Sequence, residues 1–396
     1  MPNIHPPVPP EKWPPLNLSH LRRLTDETGL IQHALYSLPD LATGYTTDDN
    51  ARALAVATRL QATGFDVSDL MTRYLALLYY LQDKHTGLFW HGLDYTRQTV
   101  GGVGGEDTQG RALLACATVM RLTAAGPLAA PALTTATESA PHTGIHSFAP
   151  GQVARRMWRR ALAGTGEGHP PWEYGYPRGQ ALALLALATY PQPDIEDPFP
   201  ATAMDTHAGA YRDDSDDRDL RQVARDLGEQ LVAAYRYTAG PGWHWFEEIL
   251  TYANAVLPHG LLAAYQLTEV TDFLTVATAA LDFLLEVSFP EGYLRVVGNR
   301  GWYPRGGKRS LFDEQPVDAG HLVECCLEAY RLSGHHRYLE AARQAMAWFH
   351  GANALGVPLY QAATGAVYDG LGPDGPNLNQ GAESVLSYLS ARLAWL

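Results

Sequence analysis

Six times along the chain a short polar or acidic group stands directly in front of a helix built almost wholly from Ala, Leu and other small or apolar residues. The first is Asp48-Asp49-Asn50-Ala51-Arg52-Ala53-Leu54. It is echoed by Glu106-Asp107-Thr108-Gln109-Gly110-Arg111, Tyr176-Pro177-Arg178-Gly179-Gln180, Tyr252-Ala253-Asn254-Ala255, Gln315-Pro316-Val317-Asp318 and Asn379-Gln380-Gly381-Ala382-Glu383-Ser384. The helices that follow, such as GQALALLALATY (179–190) and NAVLPHGLLAAYQL (254–267), are apolar on nearly every face and so must be buried on nearly every side. Between them run helices with a single apolar stripe. In 219–237 the stripe is Leu220, Val223, Leu227, Leu231 and Tyr235, three or four apart, with charges opposite. Six buried helices alternating with six one-sided ones fit an all-α fold, a closed (α/α)6 toroid of six helical hairpins with short β-hairpins allowed in its rim loops. A ring also accommodates 396 residues, which would strain a single spherical core. The expected organisation is a Pro-rich extension at 1–16, one toroid domain at 17–396, and an acidic insertion loop at 191–218.

The connections are unequal. Those leaving a buried helix are mostly short. Those approaching one are long and rich in Trp, Tyr, Gly and acids: 85–107, GPGWHWFEE (240–248), 290–315 and TGAVYDGLGPDGPNLN (364–379). Each long loop precedes the N-terminus of an inner helix, so all lie on one rim, and function is expected there.

Composition narrows the partners. Apolar residues make up 46% and charged residues 18%, the balance of a chain with a large core, and the net charge is −13. That charge argues against nucleic acid or an anionic membrane, both of which need clustered Lys and Arg. No apolar run reaches the roughly 18 residues of a membrane span, and the Pro-rich N-terminus lacks the apolar core of a secretory signal. A soluble cytoplasmic protein is expected. Cys116, Cys325 and Cys326 read as reduced core residues, no metal-ligand spacing is present, and no cofactor is implied.

Aromatic planes and carboxylates around a concave mouth are the equipment of a sugar site: rings stack on the C–H faces of pyranoses while polar groups take the hydroxyls. The stacking candidates are Trp90, His91, Tyr95, Trp172, Trp243, Trp245, Trp302 and Tyr303. Glycosidic cleavage needs two carboxyl groups facing the scissile bond, one protonated and one ionised. The catalytic candidates are Asp49, Glu106, Asp107 and Glu247, with Glu106 and Glu247 favoured as acids and Asp49 and Asp107 as bases. Asp48 is expected to cap its helix and Asp49 to face the cavity. The remaining substrate-binding candidates are Asp48, Asn50, Arg111, Arg178, Asn254, Asp313, Gln315 and Glu383.

HLRRLTDETGLIQHA, GYTTDDNARAL, GEDTQGRAL, WFEEILTYANAVLP, FDEQPVDA and LNQGAES resemble the bacterial six-hairpin (α/α)6 glycosidase-like proteins, often fused to or encoded beside two-Rossmann-type glycosyltransferases. The resemblance covers the chain from about His20 onward. It implies a carbohydrate-active site and an oligosaccharide or glycan substrate, with a glycosyltransferase as a candidate partner. The adjacent Asp48-Asp49 pair is similar to the consecutive catalytic aspartates of bacterial α-1,6-mannanases. The family's TYDNA reads Tyr252-Ala253-Asn254-Ala255 here, so an acid is absent at Ala253. A glycoside hydrolase is the first expectation, with a phosphorylase as its variant. The alternatives are a sugar epimerase of the N-acyl-glucosamine type, drawing on His91, His244, His259 and His321, and a non-catalytic glycan-binding partner of a glycosyltransferase.

Overall fold

A computed structural model describes residues 13–124, 150–163, 170, 173–191 and 219–396. Trp172, residues 1–12 of the extension and all but the first residue of the 191–218 segment lie outside the described residues. Six helices form an inner ring: α2 (Thr47–Ala62), α4 (Glu106–Ala124), α6 (Pro177–Thr189), α8 (Val256–Thr268), α10 (Pro316–Ser333) and α12 (Ala382–Ala394). Around them stand α3 (Ser68–Leu81), α5 (Pro150–Ala163), α7 (Leu220–Thr238), α9 (Thr271–Ser288), α11 (His336–Phe349) and the short α1 (Ser19–Leu24). Each inner helix packs on the next, and α12 packs back on α2, which closes the (α/α)6 toroid.

The sequence explains both layers. The stripe read from α7 is its buried face: Val223, Leu227 and Leu231 point inward while its charges face out. The inner helices meet backbone to backbone, which small residues permit. A Cβ on Gly260 of α8 would lie 2.6 Å from Ala181 Cα of α6, and one on Gly110 of α4 would lie 2.6 Å from Leu182 Cβ. The three cysteines are free and buried in this wall. Among the described residues, no helix is long and apolar enough to cross a membrane.

The rim loops form short antiparallel pairs, the largest a three-stranded sheet of Tyr45–Thr46, Trp90–Leu93 and Thr99–Val103. An amide side chain at the fourth helical residue fastens several of these loops to the ring. Asn50 accepts from Leu30 N at 2.8 Å and donates to Leu30 O at 3.1 Å and Thr46 O at 2.8 Å. Gln109 does the same for Phe89, accepting from its N at 2.9 Å and donating to its O at 2.8 Å. Gln180 donates to Tyr174 O at 2.7 Å. An amide suits this position because it carries a donor and an acceptor side by side, as a backbone strand does.

Replacing Asn50 by Ala leaves the Leu30 amide and carbonyl without partners in a buried place. Asn50→Ala is expected to cost about 2–4 kcal/mol, read from the urea midpoint at unchanged slope.

Candidate functional site

The inner helices present their first turns to the mouth of the ring, and the second helical residue is the one that faces it. That residue is Asp48 in α2, Asp107 in α4, Arg178 in α6 and Glu383 in α12; in α10 the third residue, Asp318, takes the role. A chain of ion pairs joins three helices. Asp48 meets Arg111 Nε at 2.5 Å and Arg52 Nη2 at 2.6 Å, and Arg52 also reaches Glu383 at 2.9 Å. On the facing side, Arg178 contacts both oxygens of Glu247, at 3.3 and 3.1 Å, and donates to Tyr252 O at 3.0 Å and Thr251 Oγ1 at 2.6 Å. The Tyr252 hydroxyl donates to Asp107 at 2.9 Å, which links the two sides.

The structure reverses the roles expected of the two adjacent aspartates. Thr46, not Asp48, caps α2: its hydroxyl accepts from Asp49 N at 3.2 Å and donates to Asp49 Oδ2 at 2.8 Å. The Thr46 hydroxyl thus ties Asp49, three residues on, to the helix start. Asp49 is therefore 4% exposed, while the Asp48 side chain is 27% exposed at the mouth. Their ionisation diverges accordingly. Burial opposes the Asp48 charge, but Arg111 and Arg52 outweigh it and hold that carboxyl below its ordinary value. Burial, with Asp48 and Glu383 adding repulsion against the pull of Arg52, raises Asp49 to about 7.

Other expected residues divide between mouth and scaffold. Both Glu106 oxygens are occupied by backbone amides, Gly175 N at 2.9 Å and Tyr176 N at 2.8 Å, so Glu106 acts as a fastener for the loop before α6. Asn50 and Asn254 are spent in the same way. Asn254 clips Thr251 and contacts Asp318 Oδ1 through its backbone amide at 3.3 Å. Trp245 is 0% exposed, packed against Phe246 and Phe283, and offers no stacking face; burial in the inter-helix core overrides its rim-loop position. Trp90 is half-buried, with its carbonyl accepting from Thr47, and His91, next to it on the same strand, is exposed. Trp302 is half-buried and lies 6.4 Å from Tyr252, itself 40% exposed above Arg178, so these two rings form an aromatic wall beside the ion pairs. Asp313 pairs with Arg300 at 3.1 Å, and Gln315 precedes the first turn of α10.

Arg52 and Asp318 were not among the expected site residues, and His321 was expected only for the epimerase alternative. Arg52 is signalled by its four-residue spacing from Asp48, and Asp318 by being an acid inside an apolar helix. Asp318 is 6% exposed, its Oδ2 bonds to nothing among the described residues, and burial raises it to about 7. One turn deeper, His321 Nδ1 lies 3.3 Å from Glu324, and burial together with Arg111 and Arg52 lowers its affinity for a proton. Of the remaining histidines considered, His259 lies inside the ring with its proton affinity also lowered by burial, while His244 is exposed, its ring near Phe283 of α9. No group of three or more His, Cys, Asp or Glu among the described residues is arranged to hold a metal.

No protein-family model matches this chain, and no curated protein matches it in sequence. Solved structures do match in fold. A sugar epimerase from a ruminal bacterium superposes with a TM-score of 0.61 at 12% identity, over 94% of each chain. The cellobiose 2-epimerase of Bacillus thermoamylovorans gives 0.63 at 11% identity, over 96% of this chain and 95% of that one. A family 76 glycoside hydrolase from a bovine Bacteroides thetaiotaomicron strain gives 0.55 at 11% identity, over 95% of this chain and 75% of that one. The chain thus has the six-hairpin glycosidase-like fold, an (α/α)6 toroid found in proteins with different reactions.

Folding favours the protonated Asp318. Its contribution is intact below the ordinary Asp value of 3.8 and is lost as pH rises through about 7. Asp318→Asn is therefore expected to raise the melting temperature more at about pH 8.5 than near pH 5, as followed by circular dichroism.

Proposed function

We propose that this protein is a glycoside hydrolase that cleaves an oligosaccharide or glycan end. The observation that carries the reading is the adjacent pair Asp48 and Asp49, whose surroundings push one carboxyl toward the charged form and the other toward the neutral form. Two carboxyl groups driven apart in this way are the acid and base of glycosidic cleavage. In this scheme Asp49, held against Thr46 below the mouth, turns outward to give its proton to the glycosidic oxygen as the C–O bond breaks. Asp48, kept ionised by Arg111 and Arg52, faces the anomeric carbon as nucleophile or as base to a water. Tyr252 and Trp302 supply stacking planes, and Arg178, Glu247, Asp107 and Glu383 supply hydroxyl contacts. The similarity of Asp48-Asp49 to the consecutive aspartates of α-1,6-mannanases supports the pairing, as does the shared fold with a family 76 glycoside hydrolase. The resemblance to proteins encoded beside glycosyltransferases makes such an enzyme's product a natural substrate.

A screen of manno- and gluco-oligosaccharides and aryl glycosides for released sugar tests this. Asp48→Asn and Asp49→Asn are each expected to lower kcat/KM by about a hundred- to ten-thousand-fold with unchanged circular dichroism. Because Asp49 must carry a proton to act, kcat/KM should fall as pH rises above about 7. Wild-type rates in both variants overturn the assignment.

A second reading, a sugar epimerase, draws on His321 and His259 inside the ring, both biased by burial toward the neutral form a base requires. It predicts deuterium uptake from heavy water into an intact sugar, where hydrolysis predicts new reducing ends.

A further inference from the structure

We propose that the open edge of Arg111, beside Asp48 and above His321, is an oxyanion site that takes a phosphate group, presented either as inorganic phosphate or on the saccharide itself. This deepens the carbohydrate reading above and rests on it. The Arg111 side chain is 7% exposed and spends only its Nε, on Asp48 at 2.5 Å. Among the described residues its two Nη groups donate to nothing, and neither is sealed away from solvent. A guanidinium so buried, with its bidentate edge unused, is unusual in a site where the other arginines are occupied: Arg52 bridges Asp48 and Glu383, and Arg178 holds Glu247, Thr251 and the Tyr252 carbonyl. That edge, with two parallel N–H donors, matches two oxygens of a phosphate.

The surroundings fit the same ligand. His321 lies close enough to feel Arg111 and Arg52, and its Nδ1 is turned to Glu324, which also accepts from Ser390 Oγ at 2.5 Å. With its proton on Nδ1, the imidazole leaves Nε2, which has no partner among the described residues, free to accept from a P–O–H group. Asp48 projects from the first turn of α2 and Arg111 from the second turn of α4, so the positive ends of two helix dipoles lie near the spot. Two guanidiniums face the carboxylates of Asp48 and Glu383 while Asp49 is biased toward neutral, so an arriving phosphate meets a cluster with unused donors.

The two presentations have different consequences. Inorganic phosphate would replace water as the nucleophile: the anomeric C–O bond breaks, the leaving oxygen takes the Asp49 proton, and a phosphate oxygen forms the new bond to carbon. A phosphorylated sugar would be held by the same edge, with water as the attacking group.

Calorimetry on the intact protein with inorganic phosphate, a hexose phosphate, the unphosphorylated hexose and glucuronate tests the site. Saturable binding of inorganic phosphate or of the hexose phosphate is expected at millimolar concentrations or below. Arg111→Gln should weaken it by about tenfold or more, as for loss of one charge-assisted bidentate contact. If Arg111→Gln does not fold, Arg111→Lys, which keeps a charge for Asp48 but not the fork, carries the same expectation. Glycosyl phosphate among the products identifies inorganic phosphate as the co-substrate, whereas preference for the hexose phosphate places the group on the sugar. Absence of binding by both phosphates, binding of glucuronate alone, or equal binding in the Arg111 variants overturns the proposal. Because binding is read without turnover, hydrolysis with no phosphate binding removes this site and leaves the hydrolase reading, and phosphate binding with no cleavage does the reverse.

Discussion

Each inner helix is walled in by two inner neighbours and its outer partner, and the charges of its first two turns gather where the ring opens. Six positive helix ends converge there, and the protein answers with carboxylates and with arginines that hold them. The chain Arg111–Asp48–Arg52–Glu383 is the clearest product of this constraint, since it joins α4, α2 and α12 across the mouth. The polar rim and the apolar wall are therefore one pattern. A residue's position within the first turn decides whether it faces the mouth, at the second place, or fastens a loop, at the fourth.

That positional rule makes sense of the two adjacent aspartates. Asp48 sits where the arginines can reach it, and Asp49, one residue on and rotated about 100° around the helix, turns back toward Thr46. Chemically identical groups one residue apart thus receive opposite electrostatic instructions, without a metal-type cluster among the described residues.

The alternation of wholly apolar and one-striped helices was enough to read the ring, because burial on every side leaves a compositional mark that survives drift of individual residues. The rim carrying the acids was legible for the same reason. What the string could not tell was the use of each polar residue. Asn50, Glu106 and Asn254 look like ligand contacts in sequence, yet their oxygens and amides are taken up by backbone groups that only the folded loops bring near. Trp245 stands in a loop rich in aromatics, but the loop folds it into the core between helices. Asp48 and Asp49 could be told apart only by recognising that Thr46 caps the helix and ties down Asp49, a signal present in TTDD but masked by the stronger expectation that an aspartate caps.

Closure of α12 onto α2 has a mechanical consequence. In an open stack of helical repeats the terminal units have one free side and fray first, and unfolding can proceed inward from them. A hoop has no terminal unit. Loosening any hairpin here strips contacts from two neighbours at once and relaxes the mouth whose charges those neighbours share, so the wall and the site are coupled to yield together.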